Sequence, residues 1–337
     1  MSAPNHLRRI PALASLATLL LGLLGTGTAQ AAPSLVQEHA GVGCSVPFTV
    51  KTPTDAAQSD PSRLAAALGL PGSSQVIAKA VDRHVTWLSS ISCKPRPDRT
   101  RRPSTTGTPV AANGSSINWS GYIAYNASSP TYVQSEWTVP AISTADPTVG
   151  NTNSSIWPGI GGWDGVSGEL LQDGTEQDAT CALLLGSLCT EHTTSTYFWL
   201  EDYPAEPEQE ITNLVPKAGD SVAAVTSYSS GTVSFTLCDF TANQCVQGSQ
   251  AAKAPGNSAE WIVERPSVNG RISALSDFGT ATLTDNVFND ANRYEQLPQD
   301  SNASAFDMFN SSGNQLDATG SLGSDGTTFS VNWERSS

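Results

Sequence analysis

Histidine is scarce in this chain of 337 residues, and only His192 lies beyond residue 104. This argues against a Ser-His-Asp triad or a zinc site with several histidines in the larger part of the chain. GxSxG, HExxH, P-loop and CxxC motifs are also missing, and we expect no metal and no cofactor. Only 14% of the residues are charged and the net charge is −14. A surface of this kind does not neutralise phosphate, so no nucleic acid is expected as a partner.

The first 31 residues have the pattern of a secretory signal. Arg8 and Arg9 form a positive start, the stretch from Ala12 to Leu24 is apolar, and Ala29-Gln30-Ala31 provides a small-x-small cleavage pattern. The apolar run is too short for a comfortable membrane span, and no other stretch is a credible one. We therefore predict a signal peptide over residues 1–31 and a secreted, extracellular protein without membrane association.

The charges divide the chain into two parts of opposite sign. Residues 1–104 carry 11 of the 17 Lys and Arg residues but five of the 31 Asp and Glu residues, whereas residues 105–337 carry six bases and 26 acids. The two parts attract each other at neutral pH, and the attraction weakens once acid protonates the carboxylates. This favours an acid-activated zymogen in which residues 32–104 are a pro-segment that inhibits its own enzyme. The alternative is a basic linker without such a role.

Local patterns indicate a small helical pro-segment. Asp60-Pro61 supplies an N-cap and a proline at the first helical position, and Gly69 ends that helix. A second helix follows Ser73 or Ser74. Its apolar residues recur on one face at Ile77, Val81, Val85 and Leu88. The Pro/Arg-rich run from Lys94 to Arg102 is predicted to be extended and exposed, with cleavage near residues 96–105.

After residue 104, short apolar-aromatic runs alternate with clusters of Gly, Pro, Asn, Asp and Ser. About a dozen such runs predict an all-β domain over residues 105–337, an antiparallel β-sandwich of two sheets. The six cysteines are typical of disulfides in a secreted protein. Sequence alone leaves their connectivity open, but Cys181 with Cys189 and Cys238 with Cys245 could each close a hairpin-like loop, and Cys44 could pair with Cys93 inside the pro-segment.

Two runs combine acids with aromatic residues. In Ala259–Glu264, strand alternation places Trp261 and Val263 towards a core and Glu260 and Glu264 on the opposite face. The simpler interpretation is a half-exposed strand with its acids in water. In 197–204, Trp199, Glu201 and Tyr203 share the non-core face, an unusual surface unless something binds there.

Four separated motifs occur in order along the chain: Trp157-x-Gly159-x-x-Gly162, Leu171-Gln172-x-Gly174, Trp199-x-Glu201-x-Tyr203-Pro204 and Ala259-Glu260-Trp261-Ile262-Val263-Glu264. Together they resemble the glutamic peptidases, the eqolisin family of secreted acid proteases, and Asn118-Trp119-Ser120-Gly121-Tyr122 and Asp277-Phe278-Gly279 also fit. The resemblance covers roughly residues 117–335 and implies a lectin-like sandwich of two antiparallel sheets, of jelly-roll type.

The resemblance implies a catalytic dyad of Gln172 and Glu264 that hydrolyses protein and peptide substrates. In such a dyad, the carboxylate takes a proton from water and the amide of the glutamine stabilises the oxyanion. The resemblance also assigns the substrate cleft to four residues: Trp157, Trp199, Glu201 and Tyr203. Glu260 shares the face of Glu264, so alternation alone does not decide which of them is the catalytic acid.

Two other functions fit the same residues. One is a carbohydrate-binding module, in which cleft tryptophans stack on sugars. The other is a glycosidase that uses Glu201 with Glu264, or Glu260 with Glu264, as acid and base. The opposite charge of the pro-segment favours the acid endopeptidase, since sugar-binding domains seldom need a masking partner. The peptidase is expected to be a monomer.

Overall fold

The computed structural model describes residues 34–101, 113–125, 129–144, 150–163, 169–186, 188–290, 293–297 and 303–337. The predicted signal peptide lies outside the described residues, as does the part of the predicted cleavage region beyond Arg101. Within the described ranges, the structure has no helix that is both long and apolar enough to span a membrane.

Residues 34–92, which we call the belt, contain the three helices of the described chain. The helices are α1 (Asp55–Gln58), α2 (Pro61–Leu68) and α3 (Gln75–Asp82), and the belt's strands are β1 (Val36–Ala40), β2 (Thr49–Pro53) and β3 (Thr86–Trp87). The Asp60 side chain accepts a hydrogen bond from the Arg63 N–H at the start of α2, and Gly69 ends that helix with a φ of 72°. Ser74 caps α3 in the same way. The two helix starts and the first helix end are therefore confirmed.

The second of the two predicted helices, which is α3 in the structure, is shorter than predicted. It ends at Asp82, and His84 has a φ of 54°. A left-handed residue cannot continue a right-handed helix, so Val85 and Leu88 lie beyond its end. Val85 is nevertheless buried with the helix side chains, because the chain turns back onto the same apolar cluster.

The remaining strands follow in chain order. They are β4 (Cys93–Arg96), β5 (Arg99–Thr100), β6 (Gly114–Ser116), β7 (Trp119–Ala124), β8 (Pro130–Thr138), β9 (Thr152–Ile160), β10 (Leu170–Leu185), β11 (Leu188–Tyr203), β12 (Glu208–Ile211), β13 (Ser221–Ser229), β14 (Thr232–Asp239), β15 (Gln244–Ala251), β16 (Ala259–Glu264), β17 (Ser267–Val268), β18 (Arg271–Ile272), β19 (Ala274–Leu275), β20 (Thr280–Asp290), β21 (Arg293–Gln296), β22 (Ala303–Phe309), β23 (Gln315–Thr319) and β24 (Phe329–Trp333).

Antiparallel pairing runs along one continuous path through most of these strands. The path is β4-β12-β11-β10-β9-β16-β7-β22-β23-β24-β20-β8-β13-β14-β15-β2-β1. The prediction of a mostly β, antiparallel protein is confirmed. The continuous pairing makes these strands part of one large sheet of 21 strands, with β5, β17 and β18 in a separate small one.

The main core contains side chains from both halves of this path. Phe198 and Leu200 of β11 and Trp261 of β16 belong to the same buried cluster as Val222 of β13 and Phe235 of β14. The predicted inward orientation of β11 and β16 is therefore confirmed. Since side chains alternate along a strand, Glu201 of β11 and Glu260 and Glu264 of β16 point to the opposite face, where the candidate site lies.

All three close cysteine pairs are disulfides. Cys44 bonds to Cys93, Cys181 to Cys189 and Cys238 to Cys245. The described residues contain no free cysteine. The first bridge joins the start of the belt to the first residue after it, and the other two each close a local hairpin.

Candidate active site

The site is the face of β9, β10, β11 and β16 that points away from the main core. Ser155 of β9 pairs with Glu264 of β16 on one side and with Glu176 of β10 on the other. Gln172 lies four residues before Glu176 on the same strand and pairs with Glu201 of β11. Paired residues share a face, and so do residues two or four apart along a strand. Gln172 and Glu264 therefore face the same side of the sheet.

Two strand spacings and four residues separate Gln172 from Glu264. Standard sheet dimensions put their Cα atoms about 16 Å apart. Within the described part of the chain, no hydrogen bond joins the two side chains. Glu260 lies directly across the sheet from Gln172, because Gly159 of β9 pairs with both residues. The same sheet dimensions put the Cα atoms of Glu260 and Gln172 about 10 Å apart.

Gln172 is held by a carboxyl group. Its Nε2 donates a hydrogen bond of 2.7 Å to Oε2 of Glu201, and both side chains are buried. Burial raises the pKa of Glu201 well above its ordinary value, although the positive charge of Arg101 and the bond from Gln172 act in the opposite direction. The carboxyl of Glu201 therefore stays protonated more readily than a solvated one and fixes the position of the amide.

Glu264 is held by two neutral donors. Nε1 of Trp157 donates to its Oε2 over 3.0 Å, and Nδ2 of Asn118 donates to its Oε1 over 3.2 Å. Burial raises the pKa of Glu264 to about 7, while the charge of Arg101 and the Trp157 bond lower it. A carboxyl with such a pKa can exchange a proton in mildly acidic solution, as a general base or acid requires.

Two tryptophans, Trp157 of β9 and Trp199 of β11, lie on this face between the level of Gln172 and the level of Glu264 along the strands. They form the aromatic floor of the site. The ring centroids of Trp157 and Trp199 are 6.5 Å apart in an edge-on arrangement. Gly174 lies between their strands, and a Cβ there would be 2.2 Å from the carbonyl oxygen of Ile156 and 2.6 Å from Cβ of Trp157. Because β9 passes so close to Gly174, no side chain fits at this position and a glycine is required. Tyr203 packs, partly buried, against the same aromatic cluster.

Residues 93–101, which we call the strap, cross this face. At one end β4 pairs with β12, the edge of the sheet, and at the other β5 pairs with β17, just after Glu264. Arg101 is completely buried and lies over the ring of Trp199, with 3.9 Å from its guanidinium carbon to the ring centroid. The strap thus passes over Trp199 and close to Glu264.

The arginines of the strap bind the acidic side chains on this face of the sheet, which we call the groove. Arg101 forms ion pairs of 2.5 Å with Glu176 and 2.6 Å with Glu208, and its Nη1 is 3.7 Å from Oε2 of Glu264. Arg99 binds Glu176 at 2.5 Å and Asp178 at 2.7 Å. Charge-assisted bonds of this length are among the strong polar contacts in proteins. They account for the burial of two guanidinium groups.

Two expectations about solvent exposure were wrong, one of them in part. The strap is extended as predicted and is exposed at Lys94, Pro95 and Pro97, but Arg99 and Arg101 are buried, because the carboxylates of this face compensate their charge. The interpretation of 259–264 as a half-exposed strand is wrong, since Glu260 and Glu264 are both completely buried.

The sequence analysis assigned no role to several residues of the site. Alternation along β10 places Glu176 and Asp178 on the face of Gln172, and Arg99 and Arg101 alternate in the same way along the strap. Glu208 enters through the pairing of β12. Alternation was visible in the sequence, but which strands meet was not, so the ionic contacts could not be assigned.

Replacement of Trp157 by Phe tests how the pKa of Glu264 is held. The change removes one hydrogen bond to the ionised carboxylate, so the charged form becomes less stable and the pKa rises. In an assay of the endopeptidase activity that the resemblance implies, we expect the acid limb of the kcat/KM profile to move to higher pH by about one unit. Trp261→Phe is the matched control, because the Trp261 N–H binds a main-chain oxygen of Gln134 in the core. An unmoved acid limb in Trp157→Phe would contradict this assignment.

A buried carboxyl, a buried amide and an aromatic cluster thus lie on one face of the sheet. The model of the peptidase A4 family matches residues 117–333. The chain therefore belongs to the peptidase A4 family, and its resemblance to the glutamic peptidases is confirmed. No match was found among curated protein sequences.

A comparison with solved structures found two glutamic peptidases. Scytalido-glutamic peptidase, solved with a transition state analog inhibitor, has a TM-score of 0.52 and 21% sequence identity, and the match covers 65% of this chain and 98% of the other. Aspergilloglutamic peptidase from Aspergillus niger has a TM-score of 0.44 and 24% identity, and the match covers 54% and 99% of the two chains.

Proposed function

We propose that this protein is a secreted glutamic endopeptidase that is made as a zymogen and acts on protein substrates in acid. The observation that carries the proposal is that an extended segment of the chain itself, the strap, lies against the sheet face of Gln172 and Glu264, with Arg101 over Trp199 and 3.7 Å from Glu264. A groove that accepts one extended peptide can accept another. Family membership supports the reaction type.

In the proposed reaction, the ionised carboxylate of Glu264 takes a proton from a water molecule. The water oxygen forms a bond to the carbonyl carbon of the substrate, and the carbonyl oxygen becomes an oxyanion. The Gln172 side chain donates an N–H to this oxygen, an interaction typically worth about 3 kcal/mol. Glu264 then passes its proton to the amide nitrogen, the C–N bond breaks, and the products are a carboxylic acid and an amine.

The aromatic side chains serve the substrate. Trp157 and Trp199 would cover apolar side chains of the peptide, and Tyr203 would contact it at the end of β11. Glu201 would position the amide of Gln172, as its hydrogen bond of 2.7 Å supports. Neither the carboxylate nor the amide needs a cofactor for these steps.

In the precursor, the strap keeps substrates out. Arg101 occupies the space above Trp199 and binds the acids around Glu264. Burial raises the pKa of Glu176 to about 7, while the charge of Arg101 lowers it. Because the arginine lowers this pKa, proton uptake reciprocally weakens arginine binding at the same carboxylate. Arg101 itself keeps its charge at every relevant pH, so acidification leaves it without counter-charges and favours release of the strap.

Three further properties belong to the same proposal. The two halves of the strand path would form the two layers of the family's lectin-like sandwich, as their shared core supports. Three disulfides support secretion into an oxidising compartment. We also infer that the enzyme acts as a monomer, with residues 105–337 as the peptidase domain.

The proposal is tested by acidifying the purified precursor. We expect peptide mapping to show cleavage between the strap and the peptidase domain, followed by digestion of a denatured protein, with neither at neutral pH. Binding to insoluble glucan, or release of sugar without proteolysis, would instead support the carbohydrate-binding module or the glycosidase. An acidified precursor that stays intact and inert towards denatured protein would contradict the proposed function.

A further inference from the structure

The belt shares a hydrophobic core with the peptidase domain. Phe48, Val50 and Ile91 belong to the main core and are 4%, 0% and 0% exposed. The Phe48 ring stacks on Phe235 of β14, with the centroids 6.5 Å apart and the rings within 6° of parallel. The belt therefore completes the core, whereas a detachable inhibitor would lie on a finished surface.

Strand β15 lacks a side chain where Phe48 lies. A Cβ on Gly248 would be 1.8 Å from Cε1 and 2.5 Å from Cδ1 of the Phe48 ring. Gly248 does not have a left-handed φ, so the glycine is needed for this contact and not for its backbone conformation. The sequence of the peptidase domain is thus adapted to the presence of the belt.

Main-chain hydrogen bonds join the belt to the same strand. β2 pairs antiparallel with β15 at Gly248 and Ser249, and β3 pairs parallel with β15 at Gln244 and Cys245. Without the belt, β15 would be an open edge strand, which proteins generally cover. The disulfide from Cys44 to the first residue of the strap keeps the belt in one piece even if its chain is cut internally.

The helices of the belt cover the outer face of β8 and β13. Leu64 of α2 and Ile77 of α3 belong to one buried cluster with Tyr132, Val225 and Phe240. Loss of the belt would expose this cluster as a contiguous apolar patch, which soluble monomers rarely show. Retention of the belt avoids this exposure.

The belt and the strap are held by different forces. The arginines of the strap bind carboxylates of the groove, and these contacts depend on pH. Among the described residues, the belt forms one ion pair with the peptidase domain, between Lys79 and Glu136, with Arg83 and Asp285 as the charged groups near Glu136. Apolar burial and main-chain hydrogen bonds do not titrate. Acid therefore weakens the strap far more than the belt.

We infer that the belt is not discarded on activation: residues 34–92 stay bound to the peptidase domain as a non-covalent light chain after the chain is cut beyond the strap. The inference rests on the proposed function only in assuming that such a cut occurs. The family model begins at residue 117, so it assigns no role to the belt.

The test uses a cut that does not depend on the activity of the protein. A recognition sequence for a site-specific protease is inserted between residues 103 and 112 of the Glu264→Gln precursor, and the cut protein is run on size-exclusion chromatography at pH 4 and pH 7. We expect the belt and the peptidase domain to elute together at both pH values and to separate only in denaturant. Elution of the belt as a separate peak at either pH would overturn the inference. Failure of the wild-type precursor to process itself would count against the proposed function alone.

Two substitutions sharpen the test. In the cut protein, Phe48→Ala should speed dissociation of the belt about a hundredfold, because it removes a large core side chain. Lys79→Ala should leave the belt bound at both pH values, since one partly exposed ion pair contributes little. If Phe48→Ala dissociated no faster than the unsubstituted cut protein, or if Lys79→Ala released the belt on its own, the assignment of retention to the apolar contacts would be wrong.

Discussion

Replacement of Glu264 by Gln is expected to lower kcat/KM on a denatured protein by about 10³-fold or more. Glutamine has almost the shape of glutamate, and it can still contact Trp157 and Asn118, but it cannot take a proton from water. The fold should therefore survive while the reaction stops. The measurement uses protein cut by an added protease beyond the strap, so that the loss of self-processing does not hide the activity of the site.

Glu260→Gln is the matched control. Glu260 lies on the same strand and the same face and is equally buried, so its substitution removes a similar group. We expect this variant to retain most of its activity. The strand register places Glu260 directly across the sheet from Gln172, so two other outcomes of this comparison are informative. Loss of activity only in Glu260→Gln would reverse the assignment, and full activity in both variants would exclude the proposed dyad.

Replacement of Arg101 by Ala is expected to activate the precursor at a pH at which the wild type is inert. The guanidinium is the positive charge that Glu176, Glu208 and Glu264 share, and its loss leaves the strap without its central contact. Truncating one partner of a buried charge pair typically costs about 2–5 kcal/mol, which is enough to shift strap opening at least tenfold. Processing should therefore begin at higher pH and depend less steeply on it.

The measurement is the fraction of processed chain against pH, by gel and by mass spectrometry. Lys94→Ala is the control within the strap, because the Lys94 side chain is largely exposed and its 3.3 Å ion pair with Glu210 contributes little. This variant should process over the same pH range as the wild type. An Arg101→Ala precursor with the wild-type pH profile would show that the arginine does not hold the strap closed.

Features that depend on neighbouring residues were predictable from the sequence. The bounds of α2 follow from Asp60-Pro61 and Gly69, and both the strand 259–264 and its inward-facing Trp261 follow from alternation. The disulfides Cys181–Cys189 and Cys238–Cys245 were predictable for the same reason, since each closes a short hairpin. Resemblance added the family, which the match to residues 117–333 confirms.

The end of the second helix and the exposure of the strap could not be predicted in this way. His84 ends α3 through its backbone conformation, for which the sequence contains no glycine as a signal. Arginines in a Pro/Arg-rich run are exposed in most settings, and only the carboxylates of β10 and β12, which are distant in sequence, make burial of Arg101 favourable. Long-range compensation of charge therefore overrode a local tendency.

The sequence by itself determined the class of the protein: its β character, the faces of its strands, and the motifs by which it resembles its family. Tertiary structure alone decided how these parts meet, namely the rows across β9, β10 and β16, the burial of the strap, and the insertion of Phe48 opposite Gly248. The physical reason is that capping and alternation act within a few residues. Strand register and shared burial, in contrast, are set by contacts between segments as distant as Phe48 and Gly248.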